Sequence, residues 1–265
     1  MAATKGKHGY DDESLAVRAE NAKKLAAGYG WGKRSVEIVS IAAFCYLWGT
    51  LFMRVFNVFK NEEVSPLAKA LTFPSIVVAI ATADFMSGLA HWGLDTWGST
   101  ETFAIGPIIR SFREHHVDQD AITRHDFIET NADNAMVAVP FMFLWQWVPI
   151  YANGVWTGTT VHSWFLILTL VVFGTNQCHK WSHQSKPGAL ARFLMSTGLL
   201  INAKHHQLHH CGKFDRAYCI TAGWMNAPLD AIGFWRKLEN AITAVTGAIP
   251  RENDLVLIGH SSKKH

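Results

Sequence analysis

Residues 36–56 read Val36-Glu-Ile-Val-Ser-Ile-Ala-Ala-Phe-Cys-Tyr-Leu-Trp-Gly-Thr-Leu-Phe-Met-Arg-Val-Phe56, with charge only near the ends, at Glu37 and Arg54. About 20 apolar residues are what a helix needs to cross the hydrocarbon of a bilayer. Across the chain of 265 residues, 49% are hydrophobic and 17% charged, with 11 tryptophans. Soluble domains carry nearer a quarter charged residues. The stretch therefore sets the expectation for the whole chain: an all-α, multi-pass membrane protein.

Working outward, a second apolar run covers residues 71–89, interrupted by Asp84. A carboxylate is costly in lipid and should face protein or sit near the interface. That run ends in Ala90-His-Trp-Gly-Leu-Asp-Thr-Trp-Gly98, whose tryptophans suit a membrane–water boundary. Residues 135–151 form a third, uncharged run; a turn without Lys or Arg precedes a fourth, which starts at Trp164 and continues to His183. Residues 189–201 are apolar but too few to span, which suggests an interfacial or re-entrant helix. The charged, Gly/Ala-rich residues 1–34 read as a flexible tail without a cleavable signal, 35–250 as the membrane domain, and 251–265 as a polar tail. Lys and Arg cluster before the first run, between the second and third, and after the fourth. The positive-inside rule then gives about four spans with both termini cytoplasmic. A net charge of +3 is too small to argue for a nucleic-acid partner, and no basic stripe is interleaved with aromatics, so none is expected. The four cysteines have no C-x-x-C pairing and read as reduced thiols.

Between the second and third runs lies the polar stretch Ser111-Phe-Arg-Glu-His-His-Val-Asp-Gln-Asp-Ala-Ile-Thr-Arg-His-Asp-Phe-Ile-Glu-Thr-Asn131. The chain has 14 histidines. Leaving out His8, His162, His260 and His265, all the others fall at or beyond the cytoplasmic end of an expected span. A lone histidine is usually a hydrogen-bonded, half-buried residue. Here His179 and His183, four apart, share a helical face, and so do His91 and Asp95. In His205-His-Gln-Leu-His-His210, separations of three and four let several imidazoles meet one centre. With His115-His116 added, the joint pattern argues for metal, as a histidine-rich cytoplasmic cap. One zinc site needs three or four protein ligands; this surplus is enough for two metals with outer partners left over. Imidazole suits Fe, Zn, Cu and Ni alike. The case for iron is chemical, because cleaving an unactivated C–H bond of a lipid chain needs activated dioxygen. Asp95 and Asp126 are open between orienting an imidazole and capping a helix, and Asp84 between an outer partner and a buried helix contact.

The motifs Gly88-Leu-Ala-His-Trp-Gly-Leu-Asp-Thr-Trp-Gly98, Phe112-Arg-Glu-His-His116, Ile122-Thr-Arg-His-Asp-Phe-Ile-Glu-Thr-Asn131, Asn176-Gln-Cys-His-Lys-Trp-Ser-His183 and Lys204-His-His-Gln-Leu-His-His210 closely resemble the plasmanylethanolamine desaturase family, which includes animal Kua-type proteins and bacterial carotenoid-regulation homologues. The resemblance runs over roughly residues 28–255; Gln119 replaces a usual proline and Ala132 a usual glycine. It implies an endoplasmic-reticulum enzyme that forms the vinyl ether of plasmalogens from a 1-O-alkyl-2-acyl glycerophosphoethanolamine. O2 would be the co-substrate, with electrons from cytochrome b5 and its NADH-dependent reductase. It also implies two iron ions held by His91, His115, His116, His179, His183, His206, His209 and His210, with His125, His205 and Asp95 as a second tier. The alkyl chain is expected to enter between the second and fourth spans. Rival readings are a desaturase or hydroxylase of another membrane lipid, a zinc-dependent membrane hydrolase, and a metal carrier.

Overall fold

The computed structural model describes residues 12–154, 158–211 and 214–258. His8, His260 and His265 lie outside the described residues. Within them the regular structure is helical: α1 Asp12–Ala26, α2 Trp31–Asn61, α3 Pro66–Thr96, α4 Gly106–Val117, α5 Ala121–Arg124, α6 Phe127–Trp145, α7 Thr159–His183, α8 Ala189–Ser196, α9 Ala203–His206, α10 Asn226–Ala231, α11 Phe234–Thr246 and α12 Glu252–Leu257. No strand occurs among the described residues; one isolated bridge joins Tyr151 and Gly158.

Three helices, α2, α3 and α7, are long and apolar enough to cross a membrane, where the sequence suggested about four. The third apolar run falls partly in α6, which has 19 residues. The first turns of α6 carry Glu129, Asn131, Asp133 and Asn134, which dilute its apolar character, and the helix ends at Trp145 before the run does. Start signals act as expected where they occur. The Ser65 hydroxyl accepts from the Ala68 N–H ahead of α3, and the Asp126 carboxylate accepts from the Glu129 N–H ahead of α6.

Helix α7 is the centre of the bundle, in contact with α2, α3 and α6. Phe44, Leu47 and Leu51 of α2 pack with Ala135 and Met142 of α6 and Phe165 of α7. The α3–α7 seam is closed by Ala79 and Ala83, small side chains that let two helices approach, with Leu168 packed against them. Large apolar residues face outward on the bundle, among them Val39, Tyr46, Phe73, Val78, Phe141 and Leu144. Such a surface belongs in lipid rather than water. Arg54, the one cation inside the first run, donates to the carbonyls of Gln146 (2.5 Å) and Val148 (2.8 Å) just past the end of α6. Those carbonyls lack intrahelical donors and sit at the negative pole of the helix, so the charge is matched there.

At the other end of the bundle, the shorter helices build a cap. Leu25 of α1, Val117 of α4, Phe214 and Ile258 share a small core that draws both ends of the described chain onto α4. Trp92 does not sit at a water boundary. It is buried, stacked on Trp235 at 5.9 Å, and donates to Glu239, which also pairs with Arg251. Gly88 allows this approach, because a Cβ there would meet Cys219 Sγ at 2.5 Å and the Trp235 ring at 3.2 Å. All four cysteines are free.

Asp84 is fully buried and accepts from the N–H groups of Ala222, Gly223 and Met225, each at 2.9 Å. It ties the segment after the last histidines to α3. Asp84→Ala strands three buried donors and is expected to destabilise the fold by roughly 3 kcal/mol or more. A melting-temperature drop in detergent, larger than that of Thr82→Ala on the exposed side of α3, is the check.

Candidate metal centre

The helical spacings aim the donors. His91 and Asp95 lie one turn apart at the end of α3, and His179 and His183 one turn apart at the end of α7. His115 and His116 are neighbours on α4 and so point about 100° apart. His206, His209 and His210 come from α9 and the turn after it, which Asn202 starts by accepting from the His205 N–H.

The structure gathers these residues into two groups, each with its donor atoms within 4.8 Å of one another. The first is His115, His179, His183, His206 and His210; the second is His91, Asp95, His116 and His209. The adjacent pairs His115-His116 and His209-His210 each send one residue to either group, so the two centres are neighbours. All eight histidines singled out from the sequence are in one group or the other, and Asp95 joins the second. His125 and His205 are in neither. His125 is half-buried with Nε2 3.6 Å from Glu129, and His205 is exposed. Asp126 caps α6 and pairs with Arg34 instead of meeting an imidazole. His162, in the first turn of α7, takes a hydrogen bond from Trp145 at the far end of the bundle.

The geometry suits metal ions. In the first group the Nε2 of His206 is 2.8 Å from that of His179 and 2.9 Å from that of His210, which is 3.0 Å from that of His115. A ring nitrogen carries at most one proton, so this chain of nitrogens is poorly served by N–H···N bonds. Donors at ~2.1 Å from a common metal stand about 3.0 Å apart around an octahedron and about 3.4 Å around a tetrahedron. In the second group His116 and His209 place Nε2 3.3 Å apart, and Asp95 Oδ2 lies 3.2 Å from His91 Nε2 and 3.5 Å from each of the other two. Both Asp95 oxygens and His91 Nε2 are buried without a hydrogen-bond partner. A bare buried carboxylate is costly, and a cation between these atoms removes the cost.

The groups differ in what holds them from outside. In the second, each imidazole is braced through Nδ1: His91 by the Tyr218 carbonyl (3.0 Å), His209 by the Arg216 carbonyl (2.9 Å) and His116 by Asp254 (2.9 Å). In the first, Nδ1 of His115, His206 and His210 is buried without a partner. Asp254 escaped the sequence reading, which placed it in the polar tail. It is fully buried, 138 residues from its partner, and Arg113, also fully buried, lies 3.5 Å away. No spacing rule marks such a residue. Burial pushes His115, His206, His209 and His210 well below the usual 6.5, the neutral form that ligation requires. Burial also opposes charge on His116, but Asp254 and Asp95 outweigh it and raise its value.

A lipid desaturase domain model matches residues 80–253, which hold every residue of both groups and Asp84. The chain is 40% identical to a plasmanylethanolamine desaturase of Myxococcus xanthus, over 90% of this chain and 82% of that protein. It is 39% identical to plasmanylethanolamine desaturase 1 of Mus musculus, over 88% and 86% of the two chains. The chain belongs to the plasmanylethanolamine desaturase family. A chloroplastic fatty acid desaturase 4-like protein of Arabidopsis thaliana is more distant within the lipid desaturases, at 29% identity over 63% of this chain and 55% of that one. No solved structure matches the chain.

Outer partners of metal-bound histidines are worth about 10–100-fold in metal affinity. Asp254→Asn is therefore expected to weaken metal retention at the second group by about that factor and leave the first unchanged. Metal per chain after graded chelator dialysis reads this directly. The four imidazoles held neutral also fix a pH dependence. Below about 6.5 the unfolded chain takes up protons that the folded site resists, so their stabilisation is full above that pH and declines on acidification. His116 has the opposite sign, one residue against four. Melting temperature and bound metal should fall together as pH drops from 7 towards 5.

Proposed function

We propose that this protein is an O2-dependent desaturase that converts the 1-O-alkyl chain of plasmanylethanolamine to the 1-O-alk-1'-enyl chain of a plasmalogen. The observation that carries the reading is the pair of adjacent histidine groups at one end of a lipid-facing bundle, in a chain of this family. The net change is loss of one hydrogen from each of the first two carbons of the alkyl chain, counted from the ether oxygen. With two electrons and two protons supplied, O2 leaves as two waters. Two iron ions, one per group, would activate O2 as the oxidant that an unactivated C–H bond requires. His115, His179, His183, His206 and His210 would hold one and His91, Asp95, His116 and His209 the other. Asp254 keeps the Nδ1 proton of His116 in place, so that Nε2 presents its lone pair inward. The Tyr218 and Arg216 carbonyls do the same for His91 and His209. Dry packing around the centre, with Phe214 stacked on His116 at 4.3 Å, keeps bulk water from the oxidant.

Electrons would come from NADH through cytochrome b5 docking on the cap, in the endoplasmic-reticulum membrane. Four crossings, α2, α3, α6 and α7, with both termini cytoplasmic, agree with the contact between α1 and α12, since chain ends on one side require an even number of crossings. Asn21 of α1 donates to the Leu257 carbonyl of α12 at 2.9 Å. At 1.5 Å per residue, the 19 residues of α6 extend about 28 Å, close to the hydrocarbon thickness. A hydrolase with a single zinc needs one tetrahedral set with an open position and leaves half of these donors without a purpose.

Expression in cells that make alkyl ether lipids but lack the desaturase is expected to restore vinyl ether phospholipid, measured by acid-labile aldehyde release. His183→Ala should abolish it. About two irons per purified chain supports the oxidase, and one zinc with O2-independent activity overturns it.

A further inference from the structure

Two cavities share Asp133 as a wall, and the inner of them lies beside the first histidine group. The inner one is flanked by His115 of α4 and His179 of α7, with Ser111, His125, Glu129 and Asn176 around it. The outer one, about 300 Å³, lies between α2, α4 and α6, with Val36, Glu37, Ser40, Ile108 and Met136 in its walls. Asp133 lines both. The walls are continuous along the helices as well. Ile108, Ser111 and His115 follow one face of α4, and Glu129, Asp133 and Met136 one face of α6, at spacings of three and four. Along α4, Pro107 at the outer cavity and His115 at the inner one stand about 12 Å apart, which sets the scale of a passage between them. The exposed Val36 and Pro107, near the start of α2, mark its outer mouth. The α3–α7 seam, by contrast, is closed by Ala79, Ala83 and Leu168.

The passage is apolar at its mouth and charged at its waist. Lys33 Nζ stands 3.7 Å from Glu37 and 3.8 Å from Asp133, outside hydrogen-bond reach of either. Glu37 is 2% exposed, and its Oε1 has no hydrogen-bond partner. A cation with donors to spare, next to carboxylates with acceptors to spare, matches a zwitterion whose anionic and cationic ends are a few ångströms apart.

We propose that a glycerophospholipid with a primary ammonium head enters laterally through this passage between α2, α4 and α6, with Lys33 on its phosphate and Asp133 and Glu129 on its ammonium. This rests on the lipid desaturase reading and replaces the expected entry between α3 and α7. The head group is held at the waist, where the glycerol and the first alkyl carbons adjoin the inner cavity at His115 and His179. Ammonium donates to Asp133 and Glu129; a trimethylated head cannot, and is disfavoured for that reason.

The test uses the full-length, metal-loaded protein in bilayer nanodiscs with an alkyl ether lipid carrying a photoreactive group on the alkyl chain. Labelling at Val36, Ile108 or Met136 is expected; labelling confined to the α3–α7 seam overturns the route. Met136→Trp is expected to lower vinyl ether formation at least about tenfold with metal content and melting temperature kept, whereas Val77→Trp on the lipid face of α3 leaves it unchanged. Asp133→Asn is expected to reduce the preference for ethanolamine over choline ether lipid about tenfold, seen as competition for photolabelling. A preference unmoved by Asp133→Asn overturns the head-group assignment. Labelling is read without turnover, so a wild type that labels in the passage but makes no vinyl ether counts against the desaturase reading and not against the passage.

Discussion

Nine donor atoms aimed at two neighbouring points inside a dry cap repel one another unless something positive sits between them. Eight imidazoles and the Asp95 carboxylate are brought together at the ends of the helices, with more acceptor atoms facing one another than ring protons can serve. The fold holds them there because the donors ride on the ends of α3 and α7, the two most closely packed helices of the bundle, and on a cap fastened to them. A metal ion at each point would satisfy these donors, and that coupling would make the centre part of the protein's stability as well as of its chemistry.

The cap depends on polar anchors in an otherwise apolar setting. Asp84 collects three backbone donors from the segment after the last histidines. Glu239 joins Trp92 of α3 to Arg251 of the C-terminal segment, and Arg251 in turn donates its N–H to the Thr96 carbonyl. Each anchor is a charge matched by several hydrogen bonds, the condition under which a buried charge is tolerated. They place Asp254 against His116, and the carbonyls of Tyr218 and Arg216 against His91 and His209. The second metal group is thus braced by the distal third of the chain, while the first faces the cavity at α4 and α6. That asymmetry leaves the second group firmly held and the first open to the cavity.

How much of this was legible beforehand varies with the range of the interaction. The apolar runs that became α2, α3 and α7 were readable because a membrane helix satisfies its own backbone and needs only length and composition to declare itself. The third run stays uncharged to residue 151, but α6 stops at Trp145, and Arg54 of α2 takes up the Gln146 and Val148 carbonyls beyond its end. Trp92 looks interfacial in the sequence and is a core residue in the fold, because its partners Trp235 and Glu239 lie more than 140 residues away.

The histidines follow the same division. Spacings of three and four along a helix, and the crowding of imidazoles at one end of the expected spans, are local facts that the sequence states by itself. They determined that histidines able to hold a metal would gather at one end of the helical bundle. The sorting into two groups, with neighbours His115 and His116 sent to different centres, depends on the rotation of α4 about its axis, which only packing fixes. The choice of Asp95 as a donor, of Asp254 as a brace, and of His125 and His205 as neither was likewise decided by the tertiary structure. Contacts between residues far apart in the chain leave no periodic trace in it, so a carboxylate in the last turns of the chain looks like any polar residue until the fold buries it against an imidazole.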